Sequence, residues 1–207
     1  MRILALAVLA LLTLTTSSFA QVNGTIYQNI PDPGNAGDAA NQGALLPQAS
    51  FTSPAISYNS NVTGYTPALF LNNPTFMNPQ NSFDANANLN NSEVVLTGSV
   101  FLNPGINSFV VGHDDGVVLT IAGIGTVVNA PGPTGFTNTP FNVSNPGAAG
   151  LFPFTLDYAE CCGAPAVLLF QINGTTIGGP VPEPSSIVLI ATALVGGAFA
   201  FRRRISK

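Results

Sequence analysis

The chain has 207 residues, a formal net charge of −4 and only 7% charged side chains. Its five basic residues all lie near the two ends, so residues 21–180 carry eight acidic residues and no basic ones, a formal charge of −8. Without lysine or arginine this segment cannot neutralise phosphates, which excludes nucleic acid and anionic headgroups as partners. Metal cations and neutral polymers such as sugars remain as candidate partners.

The N-terminus has the three parts of a secretory signal peptide. Arg2 supplies a positive charge, residues 3–14 form an apolar run, and small residues precede Ala20. This order predicts a signal peptide at residues 1–20, cut by signal peptidase between Ala20 and Gln21.

Residues 21–178 predict one all-β domain, a β-sandwich or barrel, flanked by an N-terminal signal helix and a C-terminal transmembrane helix. Asparagine, proline and glycine recur between short β-branched runs, a pattern typical of strands joined by turns. The runs are too apolar for a disordered chain. The predicted strands lie at residues 25–27, 55–58, 68–71, 92–102, 106–112, 117–123, 152–158 and 164–172. Residues 129–150 read as a loop, and residues 173–180 as a linker to the tail.

The link between the strands at 106–112 and 117–123 is His113-Asp114-Asp115-Gly116. Asp-Gly is a strong hairpin signal, so these two strands are expected to pair through a tight turn. Two adjacent carboxylates repel each other, and a calcium ion would relieve that repulsion through oxygen ligands. We therefore predict a calcium site at Asp114 and Asp115. The alternative is a plain hairpin turn with Asp114 exposed.

The residues of common enzyme sites are sparse, which predicts a protein that is not an enzyme. The chain has a single histidine, no Gly-x-Ser-x-Gly motif and no lysine for a phosphate loop. Asp157 and Glu160 are the one candidate acid/base pair of a polysaccharide hydrolase, or else solvated ends of a strand and turn.

The two cysteines, Cys161 and Cys162, are adjacent, a spacing that does not suit a metal site. In an exported protein a disulfide between these neighbours would stiffen the local turn. A redox switch and an intermolecular disulfide are the alternatives.

Residues 179–207 carry a three-part tail. Val181, Pro182, Glu183 and Pro184 precede an apolar helix predicted at residues 187–201, and Arg202, Arg203 and Arg204 follow it. The tail resembles the Pro-Glu-Pro (PEP-CTERM) sorting signal of Gram-negative exported proteins. This resemblance implies recognition at the Pro-Glu-Pro motif by an exosortase, a membrane protease that cuts near it.

The length and charge of the tail favour a transient anchor in the inner membrane. Fifteen helical residues span roughly 22 Å, less than the roughly 30 Å hydrocarbon core of a membrane. The arginines are expected to stay in the cytoplasm, with the β domain outside. A GPI signal fits less well, because such tails end in apolar residues.

Two stretches, "SFVVGHDDGVVLTIAG" and "DYAECCGAPAVLLF", carry a second resemblance. Residues 93–172 are similar to the protective-antigen-type β-barrel domain of toxins, glycosidases and yeast flocculin adhesins. In the lectin-like members, paired aspartates hold calcium that binds sugar hydroxyls. The resemblance therefore assigns that role to Asp114 and Asp115.

Together these features predict a non-catalytic exported bacterial protein at the cell surface or in the extracellular polysaccharide matrix, where it binds carbohydrate. One alternative is a structural matrix or envelope component without a specific ligand. A polysaccharide hydrolase is the other.

Overall fold

Two antiparallel β-sheets, packed face to face, form the β domain in the computed structural model, which describes residues 21–36, 47–60, 64–80 and 82–178. The strands of these residues are β1 (Val22–Gln28), β2 (Ala49–Ser53), β3 (Ser57–Asn59), β4 (Ser92–Leu102), β5 (Gly105–His113), β6 (Gly116–Ile121), β7 (Gly125–Ala130), β8 (Thr137–Asn145), β9 (Gly150–Glu160), β10 (Val167–Ile172) and β11 (Thr175–Thr176). The predicted all-β, sandwich-like architecture is confirmed.

The first sheet has six strands in the order β2-β1-β4-β9-β6-β7. Its centre is the pair β4 and β9, which run antiparallel over eleven residues each, from Ser92 opposite Glu160 to Leu102 opposite Gly150. The predicted alternation in β6 and β9 is confirmed, because the side chains facing the core are buried and their neighbours are partly exposed.

The second sheet has the order β11-β10-β5-β8, and the short β3 also pairs with β10. Aromatic side chains join the two sheets in the core. The ring of Phe154 on β9 meets the ring of Phe170 on β10 edge to face, with centroids 5.4 Å apart, and Phe109 on β5 stacks on Phe170 at 5.8 Å. Burying each such ring is worth about 1.5–3 kcal/mol relative to exposure.

The predicted hairpin between β5 and β6 is wrong. β5 pairs with β8 and β10 in the second sheet, whereas β6 pairs with β7 and β9 in the first. The Asp114-Asp115 link therefore crosses from one sheet to the other. It packs closely on the segment after β7, since a Cβ on Gly116 would lie 2.1 Å from the carbonyl oxygen of Pro131. Long-range strand pairing, which the local Asp-Gly signal does not report, decides this connection.

The strand predicted at residues 68–71 is a helical turn, α1 (Pro67–Phe70). Thr66 caps its N-terminus by accepting a hydrogen bond from the Leu69 backbone N–H, and Pro67 occupies the first turn, where no N–H is needed. The turn carries the buried ring of Phe70 against Tyr158, with centroids 5.4 Å apart.

Two segments expected to lack strands contribute to the second sheet. β8 lies within the predicted loop at residues 129–150. It is the edge strand of the second sheet, and Asn138, Asn142 and Ser144 are polar residues on its exposed face. β11 lies in the predicted linker: Asn173 and Gly174 turn the chain with positive φ angles of 49° and 77°, and the following Ile177 is fully buried. The domain therefore includes residues up to 178.

The predicted signal peptide and sorting tail lie outside the described residues, as do Ala20, the four residues of the Pro-Glu-Pro motif, the helix at 187–201 and the three arginines. Gln21 is the first residue described. Within the described ranges, no helix has the length and apolar character needed to cross a membrane.

Candidate functional site

The sheet-crossing turn that carries Asp114 and Asp115 is bonded to two other segments of the chain. The Asp114 backbone N–H donates to the Val167 carbonyl at 3.0 Å, at the start of β10. The Asp115 N–H donates to the Thr134 carbonyl at 2.7 Å, in the connection between β7 and β8. The two aspartates are thus held where both sheets end.

The Asp115 carboxylate ties the same segments together through its side chain. Its Oδ2 accepts from the Cys161 backbone N–H at 2.8 Å, just after β9, and its Oδ1 accepts from the Thr134 N–H at 3.3 Å. The φ angle of 65° at Asp115 is left-handed, a conformation that aspartate tolerates better than most residues. Asp115 therefore positions the surrounding loops.

His113, at the end of β5, braces this turn. Its Nδ1 lies 2.8 Å from the Asp115 carbonyl oxygen, which can only accept, so Nδ1 donates. In the neutral ring Nε2 then accepts from the Thr139 hydroxyl at 3.0 Å. Both ring nitrogens are engaged and the side chain is buried, so His113 supports the turn.

Glu160, the last residue of β9, is a buried carboxyl group beside the turn. The hydroxyls of Tyr158 and Tyr65 donate to its two oxygens. Burial, with a smaller contribution from the nearby Asp115 carboxylate, raises the pKa of Glu160 to about 9, and the tyrosine hydrogen bonds offset only part of this effect. At neutral pH Glu160 is therefore a neutral acid.

The Asp114 side chain is 8% exposed, so the exposed Asp114 of the plain-hairpin alternative is not observed. Burial, followed by the adjacent Asp115 charge, raises the pKa of Asp114. Burial and the Glu160 charge likewise raise the pKa values of Tyr65 and Tyr158. Three carboxyl groups thus share one end of a domain that has no lysine or arginine.

Cys161 and Cys162 are joined by a disulfide at the edge of this site. Their sulfurs and an Asp115 carboxylate oxygen all lie within 4.8 Å of one another. Because the sulfurs are bonded to each other, they offer no thiolate to a metal. Cys161 is buried, while Cys162 is exposed with a φ angle of 57°.

Four residues of the site were missed by sequence reasoning. Tyr65 bonds to the Asn90 side chain at 2.7 Å as well as to Glu160, and Asn90 also accepts from the Gly163 N–H at 3.0 Å. Thr134 holds Asp115, and Phe136 follows in the same connection with its side chain 54% exposed. No local motif marks these residues, because they are brought together from distant parts of the chain.

The predicted acid/base pair, Asp157 and Glu160, does not face a common space. The two residues lie three positions apart on β9, and side chains on a strand alternate between faces. Glu160 points with Tyr158 toward the core, whereas Asp157 lies on the outer face, partly exposed. Their separation onto opposite faces does not suit two carboxylates acting on one glycosidic bond.

Carboxyl oxygens, the ligand type that hard cations such as calcium prefer, lie around the turn. Asp114, Asp115 and Glu160 carry these oxygens, but among the described residues they do not form a group whose oxygens all lie within 4.8 Å of one another. The Asn90 amide oxygen already accepts hydrogen bonds from Tyr65 and Gly163. The Asp115 oxygens already accept N–H bonds, but each keeps a second lone pair. A cation would replace the proton that burial keeps on Glu160.

The C-terminal segment matches a known family model. Residues 180–204 match the PEP-CTERM protein-sorting motif. The predicted sorting signal is confirmed. The motif indicates an exported protein with a C-terminal sorting signal. Among curated proteins, none matches the chain in sequence.

Solved structures share the fold of the β domain. The PA14 domain of the MpAFP antifreeze protein has a TM-score of 0.60 and 22% identity, covering 80% of this chain and 90% of that one. A PA14 sugar-binding domain from an RTX adhesin has a TM-score of 0.53 and 21% identity, covering 79% and 94%. The predicted protective-antigen-type fold is therefore confirmed, and the likeness extends well beyond residues 93–172.

Replacing Asp115 should destabilise the protein, whereas replacing Asp114 should not. Asp115→Asn puts an NH2 group where a carboxylate oxygen now accepts a backbone N–H, and the lost acceptor should cost about 1–3 kcal/mol of unfolding free energy. Asp114→Asn removes a like charge and is the matched control. Urea unfolding in EDTA measures both variants. Equal midpoints would contradict the positioning role of Asp115.

The raised pKa of Glu160 should make the protein less stable in mild alkali. Between the ordinary pKa of 4.5 and about 9, the folded state binds more protons at Glu160 than the unfolded state does. The stabilising contribution is therefore complete below pH 4.5 and is lost as the pH rises to about 9, by at most about 1.4 kcal/mol per pH unit.

Urea midpoints measured in EDTA at pH 5.5 and pH 8.5 test this expectation. Glu160→Gln should flatten the difference between the two midpoints, because its side chain does not titrate. Asp84→Asn, which removes an exposed carboxylate, should leave the difference unchanged. A wild-type midpoint that rises toward pH 8.5 would show that Glu160 is ionised in the folded protein.

Proposed function

We propose that the β domain is a calcium-dependent carbohydrate-binding module, with Asp114 and Asp115 as ligands of the ion. The observation that carries this proposal is the cluster of buried Asp114, Asp115 and Glu160 carboxyl groups at the end of a PA14-type fold. Burying several carboxyl groups without a basic partner is unfavourable, and a divalent cation would remove that penalty. Sugar hydroxyls would complete the coordination shell of the ion.

The surroundings of the turn support a sugar as the ligand. Phe136 belongs to the connection that holds Asp115, and a carbon of its ring lies 3.5 Å from the position that a Cβ on Gly112, two residues before Asp114, would take. Its ring is 54% exposed, and exposed aromatic faces commonly supply the apolar part of a ligand site. The RTX adhesin domain that shares this fold is a PA14 sugar-binding domain, which supports this assignment.

A glycan array, read with calcium and with EDTA, tests the lectin function. The wild-type protein should bind at least one glycan in the presence of calcium and lose that binding in EDTA. Asp114→Asn should lose that binding while remaining folded, and Phe136→Ala should weaken it about tenfold without changing calcium affinity in calorimetry, because it removes ring contact only. Asp114 is the residue replaced in this test because Asp115 also holds the connections after β7 and β9 through its hydrogen bonds to Thr134 and Cys161.

Leu151→Ala is the matched control for Phe136→Ala. Leu151 is 55% exposed, and it lies near the opposite end of β9, nine residues from Glu160, roughly 30 Å away. Its replacement should leave glycan binding unchanged. If the protein binds no glycan on the array, the lectin function is wrong and a structural matrix component is favoured. Turnover of a polysaccharide would favour a hydrolase.

The proposal extends to the route by which the protein reaches the cell surface. Signal peptidase would remove residues 1–20, and the tail would hold the chain in the inner membrane until an exosortase cuts near Val181, Pro182, Glu183 and Pro184. All basic residues leave with the two ends. The product is an acidic β domain at the cell surface or in the extracellular polysaccharide matrix.

The intact mass of the mature protein, isolated from an exosortase-positive Gram-negative host, tests this route. The mass should lack residues 1–20 and the tail beyond a cut near residues 181–184, including residues 202–207. In a host without exosortase, or with Pro182, Glu183 and Pro184 replaced by alanine, the tail should remain. A mature wild-type mass that still includes residues 202–207 would refute processing.

A further inference from the structure

A row of hydroxyl and amide side chains crosses the outer face of the first sheet. The register of the six strands aligns one outward residue from each strand, and each of these residues is paired with the corresponding residue on the neighbouring strand. In spatial order they are Thr52, Asn23, Thr97, Thr155, Thr120 and Thr126. We call these six residues the polar row. At roughly 4.8 Å between strands, it is about 24 Å long.

The polar row carries no formal charge and is open to solvent. Its six side chains are all exposed or partly exposed. Each threonine offers a hydroxyl, which donates and accepts, and a methyl group on the same carbon. Such a surface can hydrogen-bond a polyhydroxylated ligand while contacting its apolar C–H groups.

A cavity opens on the same face, at the β1 end of the row. It has a volume of about 240 Å³, and Asn23 and Thr97 of the polar row line it together with Thr25, Ser50 and Val95. Met77, 40% exposed, is a further lining residue and supplies an apolar wall. The volume is below the roughly 300–1,000 Å³ of a complete small-molecule site, so it suits one unit of a longer ligand.

We propose that this face binds a neutral polysaccharide chain, which lies along the polar row with one sugar ring in the cavity. The charge of the domain selects the ligand: residues 21–180 have eight acidic and no basic side chains, so an acidic polymer is repelled. A protein partner would need a more apolar centre than this row of threonines provides.

The proposed site is separate from the calcium turn. Thr155 lies on the outer face of β9, whereas Glu160, five residues further, points inward at the end of the strand. Binding along the row requires neither calcium nor Asp114. The two proposals therefore stand or fall independently.

Affinity electrophoresis in EDTA tests this second site, because EDTA removes calcium and so prevents any calcium-dependent binding at Asp114 and Asp115. The gels contain dextran, hydroxyethylcellulose or galactomannan as neutral probes, and alginate as an acidic comparison. Wild type and Asp114→Asn should both be retarded by at least one neutral polymer and not by alginate.

The double variant Thr97→Val/Thr155→Val should bind that polymer about tenfold more weakly, because valine has the shape of threonine without its hydroxyl. Valine also suits an exposed strand, so the variant should fold. Thr175→Val, an exposed threonine on β11 of the second sheet, is the matched control and should bind like wild type.

NMR titration of the wild-type protein with an oligosaccharide of the retarding polymer gives a second readout. Binding of the oligosaccharide should shift the amide signals of Asn23, Thr97 and Thr155. Several results would overturn the proposal: no retardation by any neutral polymer in EDTA, retardation by alginate alone, a double variant that binds like wild type, or dimerisation of the chain through this face. Loss of calcium-dependent binding in the glycan array would leave it intact.

Discussion

The arrangement of the candidate site depends on the Asp115 carboxylate. Its two oxygens accept backbone N–H groups from Thr134 and Cys161, which belong to the connections after β7 and after β9. A carboxylate can serve both donors because it has acceptor capacity only. With the Asp114 N–H bonded to Val167, one short turn joins the ends of both sheets. This junction fixes the connection after β7 and the segment after β9 around the turn.

The same junction concentrates negative charge in a domain without lysine or arginine. Burial of the Glu160 carboxyl group is tolerated because it holds a proton and two tyrosine hydroxyls surround it. Protons and cations compete for such a cluster, so a calcium ion would bind more tightly as the pH rises. The absence of basic residues, first noticed as a bias in composition, thereby becomes the chemical property that makes a cation ligand reasonable.

The two proposed sites use different features of the sandwich. The acidic turn lies where the chain crosses between sheets, and its residues come from connections that the strands hold in place. The polar row lies on the flat of the first sheet, where strand register aligns neutral side chains such as Thr97 and Thr155. A domain with both could hold a neutral polymer along its face and recognise a sugar at its end, which suits residence in a polysaccharide matrix.

The sequence by itself determined the sorting motif, the class of fold and the central strands. Charge and hydrophobic runs at the chain ends are local patterns, and alternation in β6 and β9 reports burial on one face directly. The sequence-based prediction was wrong at three places: the helical turn α1, the polar strand β8 and the Asp114-Asp115 link. Only the tertiary structure decided that this link crosses between sheets and that Tyr65 and Glu160 meet. Strand pairing over long sequence separations brings such groups together, and no pattern of neighbouring residues encodes it.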